Sequence, residues 1–288
     1  MWSELLAANP VFSYLVLVWL ALCVGSFLNV VIHRLPLMHE RDYRAEARMI
    51  LSEPERETPV PESFNLSLPR SRCPHCGHQI TALENIPVIS WLLLRGKCSE
   101  CGTPISTRYP LFEALTALLS VMVVVNLGFT WLAVAVLGAT WVLIALAGID
   151  FDTQMLPDQL TLPFVWAGLL VNLIGGYTTI ESAVMGAVIG YLLLWSVYWA
   201  FKLLTGKEGM GYGDFKLLGG LGAWLGWQAL PAVILLASVT GVIYAIGSGL
   251  FSKEKRSQPM PFGPFLAIAG WLCLIYRDQI LAWYGLTA

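Results

Sequence analysis

The sequence predicts an all-α polytopic membrane protein of about eight transmembrane helices, interrupted by one small polar domain on the cytoplasmic side. Of its 288 residues, 57% are hydrophobic and only 12% are charged, whereas a typical globular domain has about 25% charged residues. The charges are also concentrated, with ten basic and nine acidic residues between positions 34 and 110. The net charge of -2 provides no polycationic surface, so a nucleic-acid partner is not expected.

The apolar runs have the length of transmembrane helices. A hydrocarbon core about 30 Å thick requires roughly 20 consecutive apolar residues, because the backbone there must satisfy its own hydrogen bonds. Seven runs qualify, and an eighth, Gly-rich run is either a thin spanning helix or a re-entrant segment buried by its neighbours. The seven are 11–33, 111–127, 131–149, 160–177, 182–204, 229–250 and 262–284, and the eighth is 215–228.

Basic residues near helix ends predict the orientation, since Lys and Arg remain on the cytoplasmic side. Arg34 and Arg108 bracket the polar domain and place it in the cytoplasm. Two further inside loops are marked by the lysines of 202–216 and by the basic run 253–256, a topological anchor. These loops require an even number of crossings between them, so 215–228 must cross as well, which gives eight helices with both termini outside.

The expected division of the chain follows from this topology. It consists of a first transmembrane helix (1–33), a cytoplasmic domain (34–110) and a membrane-embedded domain (111–288). Within the polar domain, the alternating charges of residues 39 to 62 predict a solvated helix followed by a loop.

Two octapeptides repeat in the polar domain, Cys73–Ile80 and Cys98–Ile105, both of the form C-x-x-C-G-x-x-I. Such knuckles present thiolate pairs around a left-handed glycine turn, and two of them supply four ligands for tetrahedral zinc. Because four cysteines leave no open coordination position, a structural zinc ion is expected. The alternatives are free thiols or two disulfides, and a reducing cytoplasm argues against the disulfides. The predicted ligands are Cys73, Cys76, Cys98 and Cys101.

Carboxylates next to apolar runs are functional candidates, because ionisable groups are costly in a bilayer. Asp150 ends the third predicted helix, and Asp214 follows the Gly-rich segment that contains Gly211 and Gly213. The predicted topology places both on the cytoplasmic face. Two such acids cannot both ionise easily, which is the arrangement of an aspartic protease. The same residues would also suit an ion relay in a transporter, and Asp152 is either a partner or a solvated neighbour.

Taken together, these motifs resemble the type IV prepilin peptidase family over nearly the whole chain. The resemblance rests on Gly25–Pro36, the two cysteine knuckles, Asn85–Trp91, Arg108–Glu113, the Asp150–Asp158 segment and Gly211–Asp214. It implies that Asp150 and Asp214 are the two catalytic aspartates. It also implies a multi-pass protein of the bacterial inner membrane, in contact with membrane lipid, with its zinc domain and active site facing the cytoplasm.

The activity implied by the resemblance has two steps. The enzyme cleaves the leader peptide of type IV prepilins or type II secretion pseudopilins, then methylates the new amino terminus with S-adenosylmethionine. Gly96 and Lys97 match positions associated with methylation, although a turn with a solvated charge explains them equally well. Glu113, Asn29, His33 and Arg34 either line the site or serve the helix ends. A peptidase without methyltransferase activity and a non-enzymatic transporter with a regulatory zinc domain remain as alternatives.

Overall fold

The computed structural model describes residues 9–51, 64–251, 260–283 and 285, with side chains except at 249–251. The described chain is nearly all helical, and its only β-structure is two isolated bridges, Arg72 with Gln79 and Lys97 with Pro104. Internal contacts divide the chain into two compact units, residues 1–122 and 123–288.

The first unit contains a long helix, a short helix and most of a third. These are α1 (Pro10–Leu51), α2 (Ile89–Leu93) and α3 (Arg108–Leu127). The helix expected at the start of residues 39–62 is present, but as an uninterrupted continuation of α1, which does not end at residue 33. Glu, Arg and Ala are strong helix formers and carry the helix out of its apolar half. Residues 52–62, where the loop was expected, lie outside the described residues.

Close backbone contact joins α1 to α3 inside this unit. A Cβ atom at Gly25 would lie 2.7 Å from the Cα atom of Glu113, so only glycine permits this approach. One turn further along α1, the Asn29 side-chain amide donates to the carbonyl oxygens of Gly25 and Tyr109, each at 3.2 Å. The polar segment that follows α1 is tied back by Arg34, which donates to the carbonyl oxygens of Asn65 (2.9 Å) and Pro69 (2.7 Å).

The second unit contains seven helices and a single 3-10 turn at Trp227–Ala229 among the described residues. The helices are α4 (Trp131–Thr153), α5 (Asp158–Leu173), α6 (Ile180–Thr205), α7 (Tyr212–Leu225), α8 (Leu230–Phe251), α9 (Gly263–Ile275) and α10 (Arg277–Trp283). Two of these helices have capping residues at both ends. At their amino termini, the hydroxyl groups of Thr130 and Thr179 accept hydrogen bonds from first-turn backbone amides of α4 and α6. At their carboxyl termini, Gln154 ends α4 and Gly206 ends α6, both in the left-handed conformation.

The short helix α7 is the core of the second unit. It packs against α5, α6 and α9, and every residue from Asp214 to Leu225 except Lys216 is buried. Glycines at positions 219, 220 and 222 let the neighbouring helices approach its backbone. The Gly-rich run 215–228 is therefore largely buried by its neighbours, which is compatible with both of its expected forms.

Among the residues that the structure describes, five helices are long and apolar enough to cross a membrane, and α9 with α10 forms a sixth candidate that is bent by 93°. The outer surface of α6 exposes Val184, Val188, Leu192 and Trp195, as expected for a helix in contact with lipid. The prediction of a nearly all-helical protein with several helices of membrane-spanning length and composition is thus confirmed. Helices α5 and α7, with 16 and 14 residues, are shorter than a full span. The predicted anchor at 253–256 lies outside the described residues.

Candidate active site

The four predicted cysteine ligands converge in the first unit. The sulfur atoms of Cys73, Cys76, Cys98 and Cys101 all lie within 4.8 Å of one another. Cys73 and Cys101 are 3.8 Å apart, and Cys76 and Cys98 are 3.9 Å apart. Tetrahedral zinc with Zn–S bonds of about 2.3 Å separates its sulfurs by about 3.8 Å. The cluster therefore has the donor set and the spacing of a four-thiolate metal site.

The two knuckles have matching backbone geometry, as their repeated sequence predicts. In the first, Cys73 N–H donates to the His78 carbonyl at 2.8 Å; in the second, Cys98 N–H donates to the Thr103 carbonyl at 2.9 Å. Gly77 and Gly102 follow the second cysteine of each knuckle, with φ of 74° and 68°. These left-handed residues close each turn beneath its cysteine pair.

Glu84 connects the two knuckles from outside the sulfur cluster. Its carboxylate accepts hydrogen bonds from the Ser99 hydroxyl and from the Thr81 amide and hydroxyl, the last two at 2.8 Å, and contacts His78 Nε2 at 3.1 Å. These partners, Ser99 foremost, lower the pKa of Glu84 to about 2. His78 thus bonds to Glu84 and lies outside the group of four sulfur ligands.

Gly96 and Lys97 lie in the turn that leads into the second knuckle. Gly96 is buried with φ of 67°, and a Cβ atom there would lie 2.8 Å from the ring of Trp91. Lys97 is exposed and pairs through its backbone with Pro104. Turn geometry and packing on Trp91 thus explain the glycine at position 96, while the side chain of Lys97 is accessible.

The other residues suggested for the first unit have specific contacts. Glu113 is buried on α3, and its Oε2 atom accepts the Val88 amide at 2.7 Å. Asn29 and Arg34 make the carbonyl contacts described above, and His33 is exposed. Glu113, Asn29 and Arg34 therefore each hold together parts of the first unit.

Asp150 lies on the last turn of α4, in the second unit. It is 4% exposed, and its Oδ2 atom accepts the backbone amide of Gly263 at 2.9 Å. Gly263 is the first residue of α9. A carboxylate from one helix thus meets the amino-terminal end of another, where free amides favour negative charge.

Asp214 lies in the first turn of α7, also in the second unit, and is 6% exposed. Its Oδ1 atom is buried and has no hydrogen-bond partner among the described residues. Asp150 is close enough to interact with Asp214 electrostatically. The structure therefore brings together two buried carboxyl groups that are 64 positions apart in the sequence, the arrangement from which aspartic proteases derive their chemistry.

Leu156 and Gly263 complete this environment. A Cβ atom at Gly213, next to Asp214, would lie 2.6 Å from the Leu156 Cβ atom, and one at Gly263 would lie 3.2 Å from Leu156 Cδ1. Leu156 thus lies between Gly213, the residue before Asp214, and Gly263, whose amide donates to Asp150. Neither residue was selected from the sequence; for Gly263, the available signal was the Pro261-Phe-Gly-Pro264 run at the start of α9.

Comparison with known proteins covers both units. Residues 19–127 match the bacterial peptidase A24 N-terminal domain, and residues 137–246 match the type IV leader peptidase family. The four cysteines lie in the first match, and Asp150 and Asp214 lie in the second. No solved structure matches the chain.

Curated relatives align over almost their entire length. A prepilin leader peptidase/N-methyltransferase of Aeromonas salmonicida is 60% identical over 275 residues, which is 94% of each chain. Proteins of the same name from Stutzerimonas stutzeri and Pseudomonas aeruginosa are 57% and 54% identical, each covering 98% of this chain and 96% of the relative. By these matches and by its sequence motifs, the chain belongs to the type IV leader peptidase family.

Proposed function

We propose that this protein cleaves the leader peptide of type IV prepilins or type II secretion pseudopilins and then methylates the new amino terminus. The observation that supports this most directly is the pair of buried carboxyl groups, Asp150 and Asp214, in a member of this peptidase family. The names of the relatives supply the substrate class and the second activity.

Asp150 and Asp214 act together on the scissile peptide bond. One ionised carboxylate takes a proton from a water molecule that attacks the carbonyl carbon, and one carboxylic acid polarises the carbonyl oxygen. Burial favours this division, because two desolvated carboxylates cannot both ionise at low cost. We place the pair at the cytoplasmic membrane face, where a prepilin's hydrophobic segment lies in the bilayer and presents its leader junction.

S-adenosylmethionine is the expected methyl donor, and it supplies an electrophilic methyl group to the new amino terminus. We propose that Gly96 and Lys97 contribute to its binding, on the strength of the family resemblance and of the accessible Lys97 side chain. Lys97→Ala is the informative variant, because Gly96→Ala would also disturb the packing on Trp91. Loss of methylation with cleavage intact in Lys97→Ala supports this role, and unchanged methylation contradicts it.

The domain with the four cysteines holds a structural zinc ion in this proposal. The sulfur spacing suits zinc, and four thiolates leave no position for a reacting ligand. We also propose that the chain crosses the inner membrane eight times, with α5 and α7 as short spans, and that residues 34–110 form the cytoplasmic domain between the first helix and the membrane-embedded peptidase domain 111–288.

One assay tests the central proposal. Purified protein in detergent with lipid is incubated with a prepilin and S-adenosylmethionine, and the mass of the product's amino terminus is measured. Cleavage with one added methyl group is the expected result. Cleavage alone indicates a peptidase without methyltransferase activity. If the prepilin is neither cleaved nor methylated, the result favours a non-enzymatic protein. Asp150→Asn and Asp214→Asn should each abolish cleavage while the protein remains folded. Full activity in either variant would remove that residue from the catalytic pair.

A further inference from the structure

The two acids of the proposed site have different hydrogen-bond environments. Asp150 receives a backbone N–H from Gly263 at 2.9 Å, in a buried contact between residues 113 positions apart. Gly263 is the first residue of α9, a helix of 13 residues. Its amide belongs to the first turn, where no helical carbonyl is available to accept it. The amide and the helix terminus both favour a negative charge on Asp150.

Glycine at position 263 is a steric requirement of this contact. A Cβ atom there would lie 2.7 Å from Oδ2 and 3.0 Å from Cγ of Asp150, which is closer than non-bonded atoms allow. Any other side chain would therefore displace the carboxyl group or the start of α9. Gly263 thus supplies a donor in a position that only a residue without a side chain can occupy.

The environment of Asp214 is less favourable to a negative charge. Its Oδ1 atom is buried without a hydrogen-bond partner among the residues that the structure describes, and the neighbouring Asp150 interacts with it as a like charge. The Gly211 backbone amide interacts with the Asp214 carboxyl group but leaves Oδ1 unpaired, and a buried carboxylate oxygen without a donor makes ionisation costlier. When the pair carries one proton, that proton is therefore more stable on Asp214 than on Asp150.

We propose that Asp150 is the ionised base, that Asp214 is the protonated acid, and that Gly263 is the positioning residue that sets this division. The inference rests on the proposed peptidase function. In the first step, Asp150 takes a proton from water, the water oxygen bonds to the peptide carbon, and Asp214 gives its proton to the carbonyl oxygen. In the second step, the C–N bond breaks, Asp150 gives its proton to the leaving nitrogen, and Asp214 recovers a proton from the hydroxyl group.

Few other titratable groups lie on the helices around Asp150. Helix α5 carries Asp158, whose Oδ1 atom is 2.6 Å from Lys216 Nζ on α7. Helix α8 places Tyr244 against Phe151, with ring centroids 6.4 Å apart. Helix α7 also carries Tyr212, α9 carries Cys273, and α4 itself carries Asp152. Because the proposed mechanism requires Asp150 to be ionised before it can take a proton from water, the acidic limb of the pH profile should report Asp150.

The first test replaces Gly263 by alanine and measures kcat/KM for prepilin cleavage against pH. Loss of the donor should move the acidic limb to higher pH by about one to two units, since a hydrogen bond to a charged group stabilises the charged form. Gly138→Ala is the control, because it lies on the same helix as Asp150 and a Cβ atom there meets nothing within 4 Å. A merely structural role for Gly263 would lower the rate without moving the limb, and that result would overturn the proposal.

The second test uses the unmodified protein, so it does not depend on whether the Gly263 variant folds. Ionised carboxylates open epoxides, whereas protonated carboxyl groups are esterified by diazo compounds in the presence of cupric ion. The protein is treated at its activity optimum with a small epoxide or with a diazoacetyl ester, and the modified peptide is identified by mass spectrometry. The epoxide is expected on Asp150 and the diazo ester on Asp214. The reverse labelling, with cleavage activity intact before treatment, would overturn the division of roles and leave the peptidase function standing.

Discussion

Gly222 on α7 lies directly against the carbonyl oxygen of Gly186 on α6, and neither position has room for a side chain. A Cβ atom on either glycine would overlap the other's backbone oxygen. This contact holds the core helix that carries Asp214 against its most extensive partner. The position of Asp214 on α7 therefore depends on two residues that have no side-chain chemistry.

Gly222→Ala should consequently destabilise the second unit. Overpacking a close contact costs about 1–3 kcal/mol, and here the obstacle is backbone, which cannot rotate away. We expect an unfolding free energy lower by about 3 kcal/mol, measured by denaturant titration in detergent. Gly138→Ala, which has open space around position 138, should leave the unfolding midpoint nearly unchanged. Equal stability of the two variants would contradict the close-packing account.

Asn172 links the end of α7 to the segment before α6. Its amide nitrogen donates to the carbonyls of Ala223 (2.8 Å) and Trp224 (2.9 Å), and its Oδ1 atom accepts the amides of Tyr177 (2.8 Å) and Thr178 (3.0 Å). Asn172→Leu should destabilise the unit by about 3 kcal/mol, because unsatisfied buried groups cost about 1–3 kcal/mol each. Asn172→Asp keeps the acceptor but replaces the donor with a buried carboxylate oxygen that faces the two carbonyl oxygens, so its thermal midpoint should also lie below that of wild type. A thermal midpoint for Asn172→Leu equal to that of wild type would show that these hydrogen bonds do not stabilise the second unit.

Metal removal should affect the cysteine domain locally. If metal binding contributes to the folding of the two knuckles, chelation should make residues 70–105 sensitive to protease, and Cys98→Ser should reduce the zinc content measured by atomic absorption. Cys23→Ser is the matched control, since Cys23 lies on α1 and outside the four-sulfur cluster. Unchanged protease sensitivity after verified loss of zinc would show that the metal does not support this fold.

Glu84 should contribute to stability in a pH-dependent way. Hydrogen bonds, from Ser99 first, lower its pKa from 4.5 to about 2 in the folded state. A lowered folded-state pKa means that its contribution is present above about pH 4.5 and is lost as the pH falls through about 2. Glu84→Gln should therefore increase amide hydrogen exchange at Thr81 and near Ser99 at neutral pH.

The difference between wild type and Glu84→Gln should shrink as the pH falls through that range. Comparing the two proteins at each pH removes effects that they share, such as protonation of the cysteines. A difference that stays constant from neutral pH to pH 2 would show that the charge on Glu84 does not matter. Glu100→Gln serves as a control, because its carboxylate lies 3.9 Å from His78 Nδ1 and is 66% exposed.

The sequence alone was sufficient for the features that depend on local chemistry. Apolar runs predict helices because a backbone in lipid must bond to itself, and the repeated C-x-x-C-G pattern predicts two equivalent turns because each turn is closed by its own residues. Asp150 and Asp214 could be selected because charge is rare in apolar sequence. The full length of α1 could not be predicted from the sequence, since its charged second half is compatible with either a continued or a separate helix.

Only the tertiary structure decided what surrounds the two acids. The Gly263 amide reaches Asp150 across 113 positions, Leu156 lies between Gly213 and Gly263, and α7 becomes the buried core because α5, α6 and α9 enclose it. No period or composition in the sequence encodes such contacts, because each depends on how closely two distant backbones approach. The sequence therefore identified the two candidate acids, while packing determined that Asp150 receives the Gly263 amide and that the Oδ1 atom of Asp214 is buried without a partner among the described residues.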